Sequence, residues 1–179
     1  PATDEVIAAA VEFLSQPATM RLDDPVLIRH LLWLAIDRQQ VIQLHIGYGD
    51  DDVDLHRCNP LLLTDLLRAT RDSGARFALL HCYPFVREAG YLADVYEHVY
   101  FDVGLAINYT GSHSPRVIAE SLELAPFGKI LFSTDAFGLA ELYHVGAHLF
   151  RRGLGEVFDY YRRDWDWPAE YCRKVAELI

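Results

Sequence analysis

The sequence predicts an α/β protein built on a parallel sheet, and two observations carry that reading. Short apolar runs recur every 20 to 35 residues along the 179-residue chain, with helical patterning between each pair. These runs are apolar almost without interruption, as parallel strands covered by helices or lining a barrel are. A hydrophobic content of 51% and a charged fraction of 23% suit one folded domain over residues 1–179, with no linker-like stretch. It divides into leading helices (1–40), βα repeats (41–140) and C-terminal helices (141–179).

Apolar residues at helical spacing predict a helix over 4–15, with Thr3 as its N-cap and Pro17 marking the region where it stops. Residues 21–25 form a turn. Asp24 and Pro25 are the cap and first position of a second helix running to about Gln40. The run VIQLHIGYG at 41–49 is a strand that ends in His45 and breaks into glycines. A polar loop (49–54) and a helix over 60–73 follow. The run at 77–84 repeats the pattern, with a strand over 77–80 and then His81. A helix over 88–97, a strand over 99–103, a loop over 108–114 and a helix over 115–124 capped by Ser114 continue the series. The fourth strand, 130–133, leads to Asp135, and a helix spans 141–153. Residues 155–179 read as two more helices whose aromatic residues pack a peripheral helix or cap a surface.

Composition excludes several functions. A formal net charge of −10 disfavours nucleic acid or an anionic membrane as a partner. Cys58, Cys82 and Cys172 are odd in number and widely spaced, which fits a reducing, cytoplasmic setting without disulfides or a zinc knuckle. The sequence does not open with methionine, so residues upstream are expected to have been removed or omitted. The acidic run at 50–54 has no EF-hand spacing, and Gly47 and Gly49 form no phosphate loop.

Ligand sites of parallel βα folds lie beyond the C-terminal strand ends, which here carry His45, His81, Asp102 and Asp135. Two imidazoles and carboxylates on one rim suit a divalent ion, and equally a general acid/base pair. Asp102 lies within its strand, where a supporting role is as open as a direct one. His144 and His148 share a helix face, but Val145 stands where a helical zinc protease needs glutamate. His144 is a candidate to lean over the rim. Arg87 suits either a substrate carboxylate or a helix start, while His30, His56, His98 and His113 have no evident partners.

The segments QLHIGYGD (43–50), LHCYP (80–84) with REAGY (87–91), VYFDV (99–103) and LFSTDA (131–136) together resemble the amidohydrolase-related family. These proteins are metal-dependent hydrolases and decarboxylases. The resemblance implies the C-terminal half, about strands 5–8, of a TIM-type (β/α)8 barrel. By position, His45 resembles the strand-5 metal ligand, His81 the catalytic histidine after strand 6, and Asp135 the strand-8 aspartate, both ligand and catalytic group. The implied cofactor is a divalent metal, zinc before manganese, iron or nickel. The implied reaction is hydrolysis of an amide-like C–N bond of a small molecule. Decarboxylation of a small acid and a non-catalytic half-barrel are the alternatives. The family's His-x-His pair is missing, so the partner expected is the N-terminal half of the barrel or a second copy. Weak metal binding is expected of this chain alone.

Overall fold

The computed structural model describes residues 1–17 and 21–179. The chain begins with α1 (Thr3–Leu14) and α2 (Pro25–Asp37). The Asp24 carboxylate accepts the backbone N–H groups of Val26 and Leu27, and Pro25 needs no such partner, so the predicted start of α2 holds. Thr3 is not a cap: Ala2 precedes the first turn, and its N–H donates to Glu5.

The repeats follow as β1 (Val41–His45), α3 (Thr64–Ala69), β2 (Arg76–Leu80), α4 (Val86–Val95) and β3 (Val99–Asp102). Then come α5 (Gly104–Thr110), α6 (Ser114–Ser121), β4 (Ile130–Leu131), α7 (Ala140–Asp164) and α8 (Ala169–Leu178). All pairings are parallel and the strand order is β1-β2-β3-β4. A sheet whose spatial order equals its chain order steps one way only. That is how a barrel wall grows, whereas a doubly wound sheet reverses at a switch point. The four strands are therefore consistent with part of a TIM-type barrel.

Four further sequence readings need correction. The expected loop at 108–114 is helical up to Thr110, because Gly104 lets a helix start directly against β4, and only 111–113 remain a tight turn. The helix expected to end at Gly153 continues to Asp164 as one 25-residue helix. Gly153 sits inside it where the helix touches Pro115 and Ile118, so it marks a close crossing and not a C-cap. The tail consequently adds one helix, α8, instead of two. Finally, α6 begins at Ser114 with His113 preceding it, and Ser114 is not the cap.

The core lies between the sheet and its helices. Phe77, Leu79, Val99 and Phe101 of the central strands are fully buried, with Leu92, Val86 and Ile118 against them. Truncating such a side chain costs about 3–5 kcal/mol for phenylalanine. Trp167 packs against Phe127, Tyr161 and Tyr171, which resolves the tail aromatics as packing for α8. The outer strands differ from the central pair. β1 and β4 each have one neighbour, and Val41 and Phe132 remain 62% and 44% exposed. Among the described residues, no helix is long and apolar enough to cross a membrane.

His98, at the N-terminal end of β3, is buried, with Nε2 3.3 Å from the Thr70 hydroxyl. Burial lowers its pKa from the ordinary value, and Lys129 and Arg71 lower it further against a weaker opposing pull from Asp72. The folded state therefore resists protonating a ring that the unfolded chain protonates near pH 6.5. Stability from this group is full above that value and is lost as pH falls from it toward the depressed folded pKa. Denaturant midpoints measured from pH 7.5 to 5 are expected to fall more steeply in the native protein than in His98→Leu.

Candidate active site at the strand ends

Three of the four strand ends deliver the predicted residues to one rim. In the β1–β2 register His45 is level with Leu80, so His81 stands one step beyond it. The two rings meet edge to face with centroids 5.1 Å apart. Nε2 of His81 lies 3.4 Å from Oδ1 of Asp135, which follows β4. His81 and Asp135 both have left-handed backbones, φ +73° and +48°, a conformation that costs a non-glycine residue on the order of 1–3 kcal/mol. Each turn aims a side chain at the rim that an extended strand would have carried past it.

The sharp turn after β1 depends on Gly47. Its φ is +82°, and its Cα faces the Tyr83 carbonyl so closely that a Cβ would collide with it. That approach lets the Tyr48 N–H donate to the Tyr83 carbonyl at 2.9 Å. The Tyr48 carbonyl in turn lies 3.1 Å from Nε2 of His45. A carbonyl only accepts, so Nε2 is the donor in this contact.

Asp102, ambiguous from sequence, is a buried acceptor beneath the rim. Its Oδ1 accepts the backbone N–H of His81 at 3.0 Å, that of Gly104 at 2.8 Å and the Ser133 hydroxyl at 2.9 Å. The same oxygen is 3.5 Å from Nδ1 of His81. One carboxylate thus ties together the ends of β2, β3 and β4, with the His81 ring between it and Asp135. The sequence hint was an aspartate inside an otherwise apolar strand.

The rim opens into a cavity of about 820 Å³ bordered by His45, Tyr48, Asp50, Tyr109, Asp135 and Phe137. Asp52, Asp54, Cys58, Asn108 and Arg21 also border it, so the acidic 50–54 loop forms part of its mouth. Tyr48 packs edge-on against Tyr83 and Tyr109. Its hydroxyl is buried, and burial, with Tyr109 and Asp135 adding to it, raises its pKa well above the ordinary value, so it stays protonated.

Other candidates lie elsewhere. Arg87 makes a two-point contact with Glu123 at 2.7 and 3.0 Å and borders a different surface hollow, which places it on the helices. His144 and His148 stack on the exposed side of α7, and His144 does not border the cavity.

Two known proteins are similar to this chain. The protein fluG of Emericella nidulans is 33% identical over 190 residues, covering 99% of this chain and 22% of fluG. A crystal structure from Lactobacillus casei ATCC 334, described as a "putative metal-dependent hydrolase", superposes with a TM-score of 0.87 at 35% identity. That match covers 99% of this chain and 47% of the other. The chain thus spans less than half the length of either protein. The sequence model of the amidohydrolase family matches residues 2–157, which include every strand and all the rim residues, so the chain belongs to the amidohydrolase family.

Proposed function

We propose that this chain is the strand-5 to strand-8 half of a (β/α)8 barrel in a metal-dependent hydrolase acting on an amide-like C–N bond of a small molecule. The observation that carries the reading is the meeting of His45, His81 and Asp135 from three strand ends, with His45 and Asp135 bordering one cavity and the His81 ring against both. The half-barrel is supported by a sheet that steps in one direction and stops at two open edges. It is supported too by the crystal structure from L. casei, of whose chain this one covers 47%.

The family implies a divalent metal, and His45 and Asp135 are this chain's share of its ligands. Zinc suits such donors best, and manganese, iron or nickel are alternatives. The donors fit in type but not in number: among the described residues, no three His, Cys, Asp or Glu side chains gather closely enough to hold an ion.

The chain's own groups divide the proton work. Asp135, 43% exposed at its side chain, is placed to take a proton from a water attacking the substrate carbonyl. His81 lies 3.4 Å behind it, positioned to receive that proton and return it to the leaving nitrogen. On its far side Asp102 favours the imidazolium that forms in transit. Decarboxylation of a small acid is less well served. Arg87 is remote, and Arg21, the one guanidinium bordering the cavity among the described residues, is already 3.4 Å from Asp52.

Metal content after chelator-free purification is the test. Well under one ion per chain is expected of this chain, and close to one once it is joined to a preceding half that carries a His-x-His strand. A full, tightly held ion on this chain alone would overturn the half-site. An empty joined protein would overturn the metal-dependent hydrolase. A second copy could also close the open edges, and in that case the mass in solution is twice 20.4 kDa.

A further inference from the structure

Two histidines on α7 take no part in the rim. His144 and His148 stand four residues apart on a helix that runs unbroken from Ala140 to Asp164, so their side chains leave the same face one turn apart. Both are exposed, and their rings stack with centroids 6.4 Å apart and planes 14° from parallel. Among the described residues, the histidine rings with a hydrogen-bond or carboxylate partner are those of His45, His56, His81 and His98. The ring nitrogens of His144 and His148 are therefore uncommitted.

Two imidazoles at this helical spacing are the arrangement with which a helix chelates a metal ion. Bonds from metal to imidazole are about 2.0–2.1 Å long, so one nitrogen from each ring has to close to roughly 3 Å from the other. Exposed side chains change rotamer freely, and the helix backbone already fixes the distance between their attachment points. Only side-chain freedom is lost when an ion is gripped. Val145 does not weaken the reading. The glutamate that it replaces in a zinc-protease helix is a general base and not a ligand.

We propose that His144 and His148 form a surface site for a borderline divalent ion, copper before nickel and zinc, separate from the rim. Among the described residues no third His, Cys, Asp or Glu gathers with them, so water completes the coordination. Magnesium prefers oxygen ligands and is refused, while copper leads because nitrogen donors favour it over the other divalent ions. Two protein ligands hold an ion loosely. It leaves on desalting, so metal carried through purification still reports the rim. The site goes beyond the hydrolase reading and does not depend on it.

Calorimetric titration of chelator-treated protein with Cu2+, Ni2+, Zn2+ and Mg2+ tests the assignment. The tightest Cu2+ site is expected to saturate at one ion per chain, with Ni2+ and Zn2+ weaker and Mg2+ giving no binding heat. His144→Ala and His148→Ala should each weaken it by at least about tenfold. His113→Ala, at an exposed histidine before α6, should leave it unchanged. His45→Ala should leave it unchanged too, so this site and the rim fail separately. Paramagnetic broadening of amide signals by substoichiometric Cu2+ should centre on residues 144–148. No saturable Cu2+ binding, full affinity in either α7 variant, or broadening centred on His45 would each overturn the assignment.

Discussion

Gly104→Ala is expected to destabilise the protein by about 2–4 kcal/mol, a large effect for one methyl group. Gly104 follows β3 and opens α5, and its Cα faces the end of β4 at Ser133. A Cβ there would fall on the Ser133 hydroxyl, and would lie 2.7 and 2.8 Å from that residue's backbone oxygen and carbonyl carbon. A hydroxyl can rotate away, but the backbone two residues beyond β4 cannot without pulling β4 off β3. That pairing has only two registered residue pairs, Phe101 with Ile130 and Asp102 with Leu131, so little holds it against the push. Displacing Ser133 also removes its hydrogen bond to Asp102 and shifts Thr134 and Asp135 behind it. Denaturant unfolding should therefore show a lower midpoint with an unchanged slope, and ligand affinity at the rim should fall with it. Ser133→Ala in the same background separates the two causes. If relieving the hydroxyl restores full stability, the backbone clash is not what matters.

The same contact explains what the sequence did and did not disclose. β1, β2 and β3 were legible because they are apolar runs ending in a polar residue and a turn, which is the physical demand of a buried strand that stops at a solvent-facing rim. His45, His81 and Asp135 were legible for the same reason: each stands just where the apolar run fails. The helix α5 was hidden. Its sequence, Gly104 to Thr110, contains glycine, β-branched isoleucine and asparagine, none a strong helix former, and its burial against α6 and α7 overrides that local preference. The length of α7 was hidden by Gly153, which reads as a stop from local chemistry and serves instead as the point where the helix passes close to Pro115. The cavity's charge was present in plain view at 50–54. Only the turn at Gly47, which folds that loop back across the strand ends, converts a solvated acidic run into a wall of the site.

Asp102 offers the sharpest separation between hydrogen bonding and charge. Its Oδ1 accepts two backbone N–H groups and one hydroxyl, from three strand ends, while its side chain is 2% exposed. Asp102→Ala leaves all three donors buried without a partner. Each orphan costs about 1–3 kcal/mol, and because the three relax together the total is expected near 3–5 kcal/mol. Asp102→Asn keeps an oxygen in the same place with nearly the same volume, so the three donors remain satisfied and the loss should stay under about 1.5 kcal/mol. What asparagine removes is the negative charge 3.5 Å from Nδ1 of His81. The two variants should thus differ by at least about 1.5 kcal/mol in unfolding free energy. Under the proposed hydrolase reading, Asp102→Asn should also lose turnover in the protein joined to its preceding half, because the His81 ring has lost the anion beside it. Equal destabilisation by both variants would show that the buried charge, and not the hydrogen bonding, holds the three strand ends together. The rim would then be an electrostatic assembly, and His81 would have to be counted among its supports.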